Sequence, residues 1–453
     1  MTPSLYLGAT PAGWAWAPPE AHLLVLGPPR SGKTSSLVIP NVLAGGGPVV
    51  STSTKPDVLA ATLAHRSRSG ECWLFDPTGE VGVPAGVRAL RWSPVPASAR
   101  WETARLVARR LVATSSSGRG TLDADHWKGR AEALLAPLLH AGGVCGASME
   151  DVSRWVNRRQ VSPAEAVLGE QGSPLAADVL AGVTDCEDRE LSAIFSTAAQ
   201  AISAYQTDAA LATTRRPNFE PGAFVRSRDT VYICAPSGSQ DLVGPLVVSL
   251  LEEVCSAAYR AAGEAGSRPV PPAVVLALDE VANIAPLPSL PRIVSEGGGQ
   301  GVLVLACFQD LSQARDRWGP AAAGGFLSHF RAKLILPGLG EARILEALSA
   351  LCGDLDVPVR SVSRSGRWWQ RGGLSSTTTW STRRQPRVPV AALSQGVRGR
   401  AVYLEAGRPP ASVRLTPSHA SPPWRDLVAA PEGRTRVREG RRRPDGDGVG
   451  LSR

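Results

Sequence analysis

A short apolar run, His22–Leu26, leads straight into Gly27-Pro-Pro-Arg-Ser-Gly32-Lys33-Thr34, and an apolar helical pattern, SSLVIPNVL, follows. The spacing is G-x-x-x-x-G-K-[ST], set between a predicted strand and a predicted helix. Glycines at those positions let backbone N–H groups close around phosphates, at the positive end of the helix that follows. The segment Gly27, Pro28, Pro29, Arg30, Ser31, Gly32, Lys33, Thr34 and Ser35 is therefore the candidate nucleotide-binding loop. Lys33 is expected to reach the β- and γ-phosphates, and the Thr34 hydroxyl to ligate Mg²⁺. The chain has only four lysines (Lys33, Lys55, Lys128, Lys333) against 45 arginines, which argues against a chance match.

The rest of the chain supplies what such a loop lacks. Ala273–Leu278 is an unbroken apolar run ending in Asp279-Glu280. A buried strand that delivers two acids at its tip fits a Walker B element. Asp279 would hold Mg²⁺, and Glu280 would orient and deprotonate an attacking water. A further apolar run, Val302–Phe308, ends at Gln309, whose amide can touch the γ-phosphate or that water. Catalysis is thus assigned to Lys33, Glu280 and Gln309, metal binding to Thr34 and Asp279, with ATP and Mg²⁺ as cofactors.

Around these motifs, strands alternate with helices from His22 to Trp92, as expected for an α/β unit with a mainly parallel sheet. Between Ser98 and Ser227 the pattern is helical and rich in Ala and Leu (TARLVARRLVA, GRAEALLAPLLHAG, ELSAIFSTAAQAISAY). Strands return at DTVYICAP, AVVLALDE, GVLVLACF and RAKLILPG, then at Gly399–Gly407 and ASVRLTP. The expected organisation is a short N-terminal segment (1–21), a first core part (22–97), an all-α insertion (98–227), a second core part with a C-terminal hairpin (228–425), and a basic tail (426–453) that reads as disordered.

No apolar stretch reaches the ~18 unbroken residues of a membrane helix, and the start lacks the pattern of a signal peptide, so the chain reads as soluble and cytoplasmic. Seven cysteines lie scattered with no CxxC pair, and the six His show no metal-ligand spacing. They read as reduced thiols, not as a disulfide or zinc framework. The net charge is +9, and Arg360–Val388 carries seven Arg with no acid. Charge so concentrated suits a polyanion, either nucleic acid or an anionic membrane surface; the competing reading is a solvated hairpin. Within that segment Arg364, Arg367, Trp368, Trp369, Arg371, Arg383 and Arg384 are the candidate contacts to single-stranded nucleic acid, Arg for phosphates and Trp for stacked bases.

The phosphate loop, STSTKPD, the FDP and RWSP segments, LDEVANIAPLPSLPRIVSEGGGQG and FQDLSQARDRWG together resemble the TraG/TraD family, the coupling proteins of conjugation and type IV secretion. The resemblance runs from His22 to about Pro423. It implies a RecA-like ATPase with an inserted all-α domain, assembled as a homo-hexamer. Its implied partners are single-stranded DNA with a relaxase and the components of the secretion channel. It also places Lys55 and Asp57 near the nucleotide side of the sheet, where a buried structural pair is the alternative. Family members usually begin with transmembrane helices, whereas here the loop starts at Gly27; the expectation is an anchor on another polypeptide, or none, with the chain at the inner face of the membrane. The loop 295–301 lacks the Arg that some relatives place there, leaving Arg292, Arg315 and Arg331 as candidates for a finger into a neighbouring subunit. A recruitment platform for secreted proteins, with DNA incidental, is the alternative function.

Overall fold

The computed structural model describes residues 4–114, 124–265, 272–365 and 375–428. Fourteen strands are present among them: β1 (Tyr6–Thr10), β2 (Gly13–Trp16), β3 (Leu23–Leu26), β4 (Val49–Ser53), β5 (Cys72–Phe75), β6 (Arg88–Ala89), β7 (Thr230–Cys234), β8 (Val274–Leu278), β9 (Val302–Phe308), β10 (Ala332–Ile335), β11 (Asp354–Ser365), β12 (Ser375–Pro386), β13 (Arg400–Glu405) and β14 (Ala411–Arg414). Twelve of them form one sheet in the order β2-β1-β14-β13-β10-β3-β9-β8-β4-β7-β5-β6. From β10 to β6 every pairing is parallel, and from β10 to β2 every pairing is antiparallel.

The central strands are buried on both faces, as their continuous Val/Leu/Ile runs require. Successive residues point to opposite faces, so Leu24 and Leu26 enter one core while Leu23 and Val25 enter the other. The second core is covered by α1 (Ile39–Ala44) and α2 (Asp57–Arg66), with the aromatic ring of Trp424 at its edge. Residues 6–16 of the N-terminal segment join the sheet. β1 extends the sheet against β14, with Ala9 opposite Arg414, and β2 forms its edge.

Between β6 and β7 the described residues are helical: α3 (Trp101–Thr114), α4 (Ala124–Cys145), α5 (Met149–Arg158), α6 (Ser162–Glu170), α7 (Pro174–Thr184), α8 (Asp188–Ala201), α9 (Asp208–Ala212) and α10 (Pro221–Phe224). Within this block α4 packs against α3, α5, α6, α7 and α8. Its buried side chains, among them Val107, Leu111, Leu134 and Leu138, belong to the same cluster as Leu24, Val304 and Phe308 of the sheet. α11 (Gln240–Ala265) joins this block to the sheet side. It is long and apolar enough to cross a membrane by length and composition, yet 78% of that window is buried in the protein, as for a core helix. Completing the second core part are α12 (Val281–Ile284), α13 (Leu290–Glu296), α14 (Ser312–His329), α15 (Ala342–Leu351) and α16 (Val390–Gln395), with α17 (Trp424–Leu427) at the end.

Candidate functional site

β3 lies between β10 and β9, and its last residue opens directly into the Gly27–Thr34 loop. Gly27 must be glycine: a Cβ there would stand 2.8 Å from Leu336 Cβ. Gly32 adopts φ +92°, a left-handed conformation that side chains disfavour. Lys33 is buried, and its Nζ donates to the carbonyls of Gly27 (2.5 Å) and Pro28 (2.9 Å), so the ammonium lies against the loop. The helix after it opens with a π turn, Thr34–Val38, before α1.

β8 runs two strands away from β3, with β9 between them, and brings Asp279 to the same end of the sheet. The Thr34 hydroxyl donates to Asp279 Oδ2 at 2.5 Å. Burial pushes the Asp279 carboxyl above its ordinary pKa, against the opposing pull of the Thr34 hydroxyl and the Lys33 charge. Thr52, at the end of β4, donates its hydroxyl to the Asp279 carbonyl at 3.0 Å and so fixes the strand tip. Glu280 sits at φ +51°, ψ 50°, a turn that breaks the strand before α12. From there its Oε1 meets Gln309 Nε2 at 3.5 Å. Gln309 is held in turn through its backbone N–H, which donates to Gln313 Oε1 at 3.2 Å.

Lys33, Thr34, Asp279, Glu280 and Gln309 thus meet at the carboxyl end of adjacent parallel strands, where open α/β sheets bind their ligands. The donor set fits Mg²⁺, which favours hard oxygen ligands and needs few from the protein itself. Among the described residues no group of three or more His, Cys, Asp or Glu could hold a metal without such help. Thr52 lies in the STSTKPD segment and Gln313 in FQDLSQARDRWG, but the role of each side chain comes only from the fold.

Lys55 and Asp57 do not form a buried pair, for both are exposed. Asp57 Oδ1 accepts from Ser53 Oγ (3.1 Å) and Val58 N (2.8 Å), opening α2. Of the finger candidates, Arg315 is paired with Glu341 and Arg331 with Glu405 at 3.7 Å, while Arg292 is exposed.

A family model for the type IV secretory system conjugative DNA transfer proteins matches residues 2–388. The chain belongs to this family. It is similar to the conjugal transfer protein TraG of Escherichia coli, 23% identical over 371 residues, covering 76% of this chain and 57% of that one. It is likewise similar to protein VirD4 of Rhizobium rhizogenes, 22% identical over 354 residues, covering 76% and 51%. The chain therefore spans about half the length of the curated relatives it matches. Among solved structures, the bacterial conjugative coupling protein TrwB superposes with a TM-score of 0.68 at 20% identity, over 90% of this chain and 88% of that one. TrwB has also been solved with ADP and Mg²⁺ and with a non-hydrolysable ATP analogue. The likeness establishes the fold: a RecA-like α/β core with a large, mainly parallel sheet.

In this family member the Arg-rich segment forms an antiparallel hairpin, β11–β12, paired from Asp354↔Pro386 to Ser365↔Ser375. Arg383 and Arg384, as neighbours on one strand, point to opposite faces. Arg384 pairs with Asp354 at 2.9 Å. Arg360 stands directly opposite Trp380, whose ring is 67% exposed. Arg364 lies on β11 opposite Ser376, while Arg367, Trp368, Trp369 and Arg371 fall outside the described residues.

Proposed function

We propose that this chain is the nucleotide-driven motor of a conjugative coupling protein, hydrolysing ATP with Mg²⁺ to move single-stranded DNA, with its relaxase, toward a type IV secretion channel. The observation that carries this reading is the meeting of Lys33, Thr34, Asp279, Glu280 and Gln309 at one end of the parallel strands. Thr34 and Asp279 would hold Mg²⁺, which supplies charge neutralisation at the phosphate oxygens. Lys33 Nζ would exchange its bonds to the Gly27 and Pro28 carbonyls for phosphate oxygens. Glu280 would accept a proton from a water that the Gln309 amide orients. The same reading makes the working form a homo-hexamer. It puts the hairpin arginines and Trp380 against the DNA backbone and bases, and it seats the protein at the cytoplasmic face of the membrane beside channel components or a membrane-anchored partner.

The test is the steady-state ATPase rate with and without single-stranded DNA. Mg²⁺-dependent turnover that DNA stimulates is expected. Turnover that Lys33→Ala leaves unchanged would remove the reading; turnover stimulated by a secreted protein but indifferent to DNA would make the cargo protein instead.

A further inference from the structure

Glu280 and Gln309 reach each other from the tips of neighbouring strands, β8 and β9, yet Glu280 has little of its own to stand on. It occupies a left-handed turn, and the helix after it, α12, is a single turn of four residues. Such a backbone persists only where its surroundings over-determine it. The residues that follow α12 supply the support. Ala285, Leu287 and Leu290 are buried. The Leu287 carbonyl accepts from the indole Nε1 of Trp318 at 2.6 Å. Ser289 donates its Oγ (2.5 Å) and its backbone N–H (3.3 Å) to Glu252 Oε1 on α11. Residues 285–290 are therefore a strap behind Glu280, pinned at two points.

Trp318 belongs to the other half of the pair as well. It ends the first two turns of α14, the piece that begins just after Gln309. The start of that piece is fixed by Asp310 Oδ1, which accepts from Ser312 N at 2.8 Å, and by Gln313, which holds the Gln309 backbone. The Trp318 ring packs edge-on against Phe308, the residue before Gln309, with centroids 6.0 Å apart at 71°. Directly after Trp318 the helix breaks at Gly319, φ +83° and ψ 164°, with Pro320 next. One side chain thus touches both the strap that follows Glu280 and the strand end that presents Gln309.

Resting on the hydrolytic reading above, we propose that Trp318 is a positioning residue for ATP hydrolysis. Its bond to the Leu287 carbonyl and its contact with Phe308 set the separation of Glu280 and Gln309, and so the place of the attacking water. Ser289 with Glu252 is the second anchor of the same strap. The phosphate loop stands outside this clamp, because Lys33 is held by the Gly27 and Pro28 carbonyls and the Asp279 backbone by Thr52. The clamp therefore acts on turnover and leaves nucleotide binding alone.

Trp318→Phe tests this in the full chain. It keeps an aromatic ring beside Phe308 and removes the N–H, while the Leu287 carbonyl retains Leu290 N at 3.1 Å. The kcat for ATP should fall about ten- to hundredfold, as for a small misplacement of reacting groups. The dissociation constant of a non-hydrolysable ATP analogue should change by less than about twofold. In the nucleotide-free protein, amide hydrogen exchange should quicken in peptides spanning 281–290 and 309–318 and stay unchanged at β10 and β13. In a Glu280→Gln background the same substitution should cost less than about twofold in residual turnover, because it acts through the group already removed. A full loss in that background, or an unchanged kcat in the parent chain, would overturn the positioning role. Equal losses of turnover and nucleotide binding, the mark of a damaged fold, would overturn it too. Ser289→Ala should repeat the pattern with a loss of about three- to tenfold in kcat. If Trp318→Phe does not fold, Ser289→Ala decides alone, and unchanged kcat and exchange there would remove the proposal. Turnover that Lys33→Ala leaves intact would instead defeat the hydrolytic reading, and exchange at 281–290 would still report on the clamp.

Discussion

Two additions interrupt this sheet, the helical block after β6 and the hairpin after α15, and they are attached in opposite ways. The block is a wall of the main core. Ala104, Ala108 and Leu111 of α3 are wholly buried, and Arg110 reaches α11, donating to Glu253 Oε2 at 3.1 Å and Ser256 Oγ at 2.6 Å. The hairpin is held by its own ladder and by its root, where Arg387 N donates to the Gly353 carbonyl at 2.8 Å. Its described side chains beyond the root are mostly exposed on both faces. A lone two-stranded hairpin is marginal in water, so twelve paired positions with so little burial point to a surface that meets something else. Shared burial fixes a segment to the fold; exposure leaves its composition free for recognition.

The largest effect should come from cutting the block's attachment. Arg110→Met would take the cation from beside buried Glu252 and leave Glu253 with Arg260 alone, at 3.0 Å. Removing one partner of a buried pair costs up to about 3 kcal/mol where the other charge is left unpaired. Urea unfolding should show that loss across the whole core as one transition. Replacing the hairpin by a short Gly/Ser turn should cost about 1 kcal/mol or less, in line with surface changes. If the block melted separately while the sheet stayed folded, the contrast between the two additions would fail.

A second test acts on the central sheet itself. The His22 ring is buried at the start of β3, where Nδ1 accepts from Val304 N at 3.0 Å, and burial lowers its pKa to about 4. Its unfolded value is about 6.5, so between pH 6.5 and 4 the unfolded chain binds the extra proton. Stability is therefore complete above about pH 6.5 and falls as the pH drops toward 4, by about 3 kcal/mol from this group. His22→Asn, whose amide oxygen can replace Nδ1 as acceptor, should flatten that dependence. An unchanged slope of stability against pH would remove His22 as its source.

Next in size is the chemistry at the sheet's end, where the side chains are locked by neighbours. Glu280→Gln should lower turnover about a hundredfold or more while nucleotide binding survives. Lys33→Ala should instead lose the binding. Equal loss of binding in both would refute the division of labour. Deleting the hairpin should leave basal turnover unchanged, since no described residue of β11 or β12 reaches this cluster.

Much of this was legible in the sequence, for a physical reason. The loop, the strand-tip acids and Gln309 each follow an apolar run whose burial on both faces a parallel sheet demands, so local pattern and global fold agree. What escaped is what distant partners decide. Tyr6–Thr10 becomes a strand because β14, some 400 residues on, pairs with it at Ala9↔Arg414. Thr52 matters through the Asp279 carbonyl, and Gln313 through one backbone N–H of Gln309. The left-handed turn at Glu280 is likewise invisible in composition, for nothing but the return of the chain into α12 requires it.

The smallest effect, and the one that decides what the hairpin is for, concerns Trp380 and its neighbours. Trp380 is 67% exposed and sits opposite Arg360, so one face presents an aromatic plane beside a cation. Little apolar area is lost from the folded protein when that ring is removed. Trp380→Ala should therefore shift stability by no more than about 0.5 kcal/mol. One stacked base is worth about 1–3 kcal/mol, so the same substitution should weaken single-stranded DNA binding about tenfold. Arg360→Gln should act differently, lowering affinity for all sequences and reducing the slope of log affinity against log salt by about 0.7 for one lost phosphate contact. Arg384→Gln should do less, because Asp354 already takes part of its charge. The two readouts together separate the possibilities. DNA affinity intact per folded molecule, with stability reduced by about 1 kcal/mol or more, would make the hairpin a packing element and erase its contrast with the helical block.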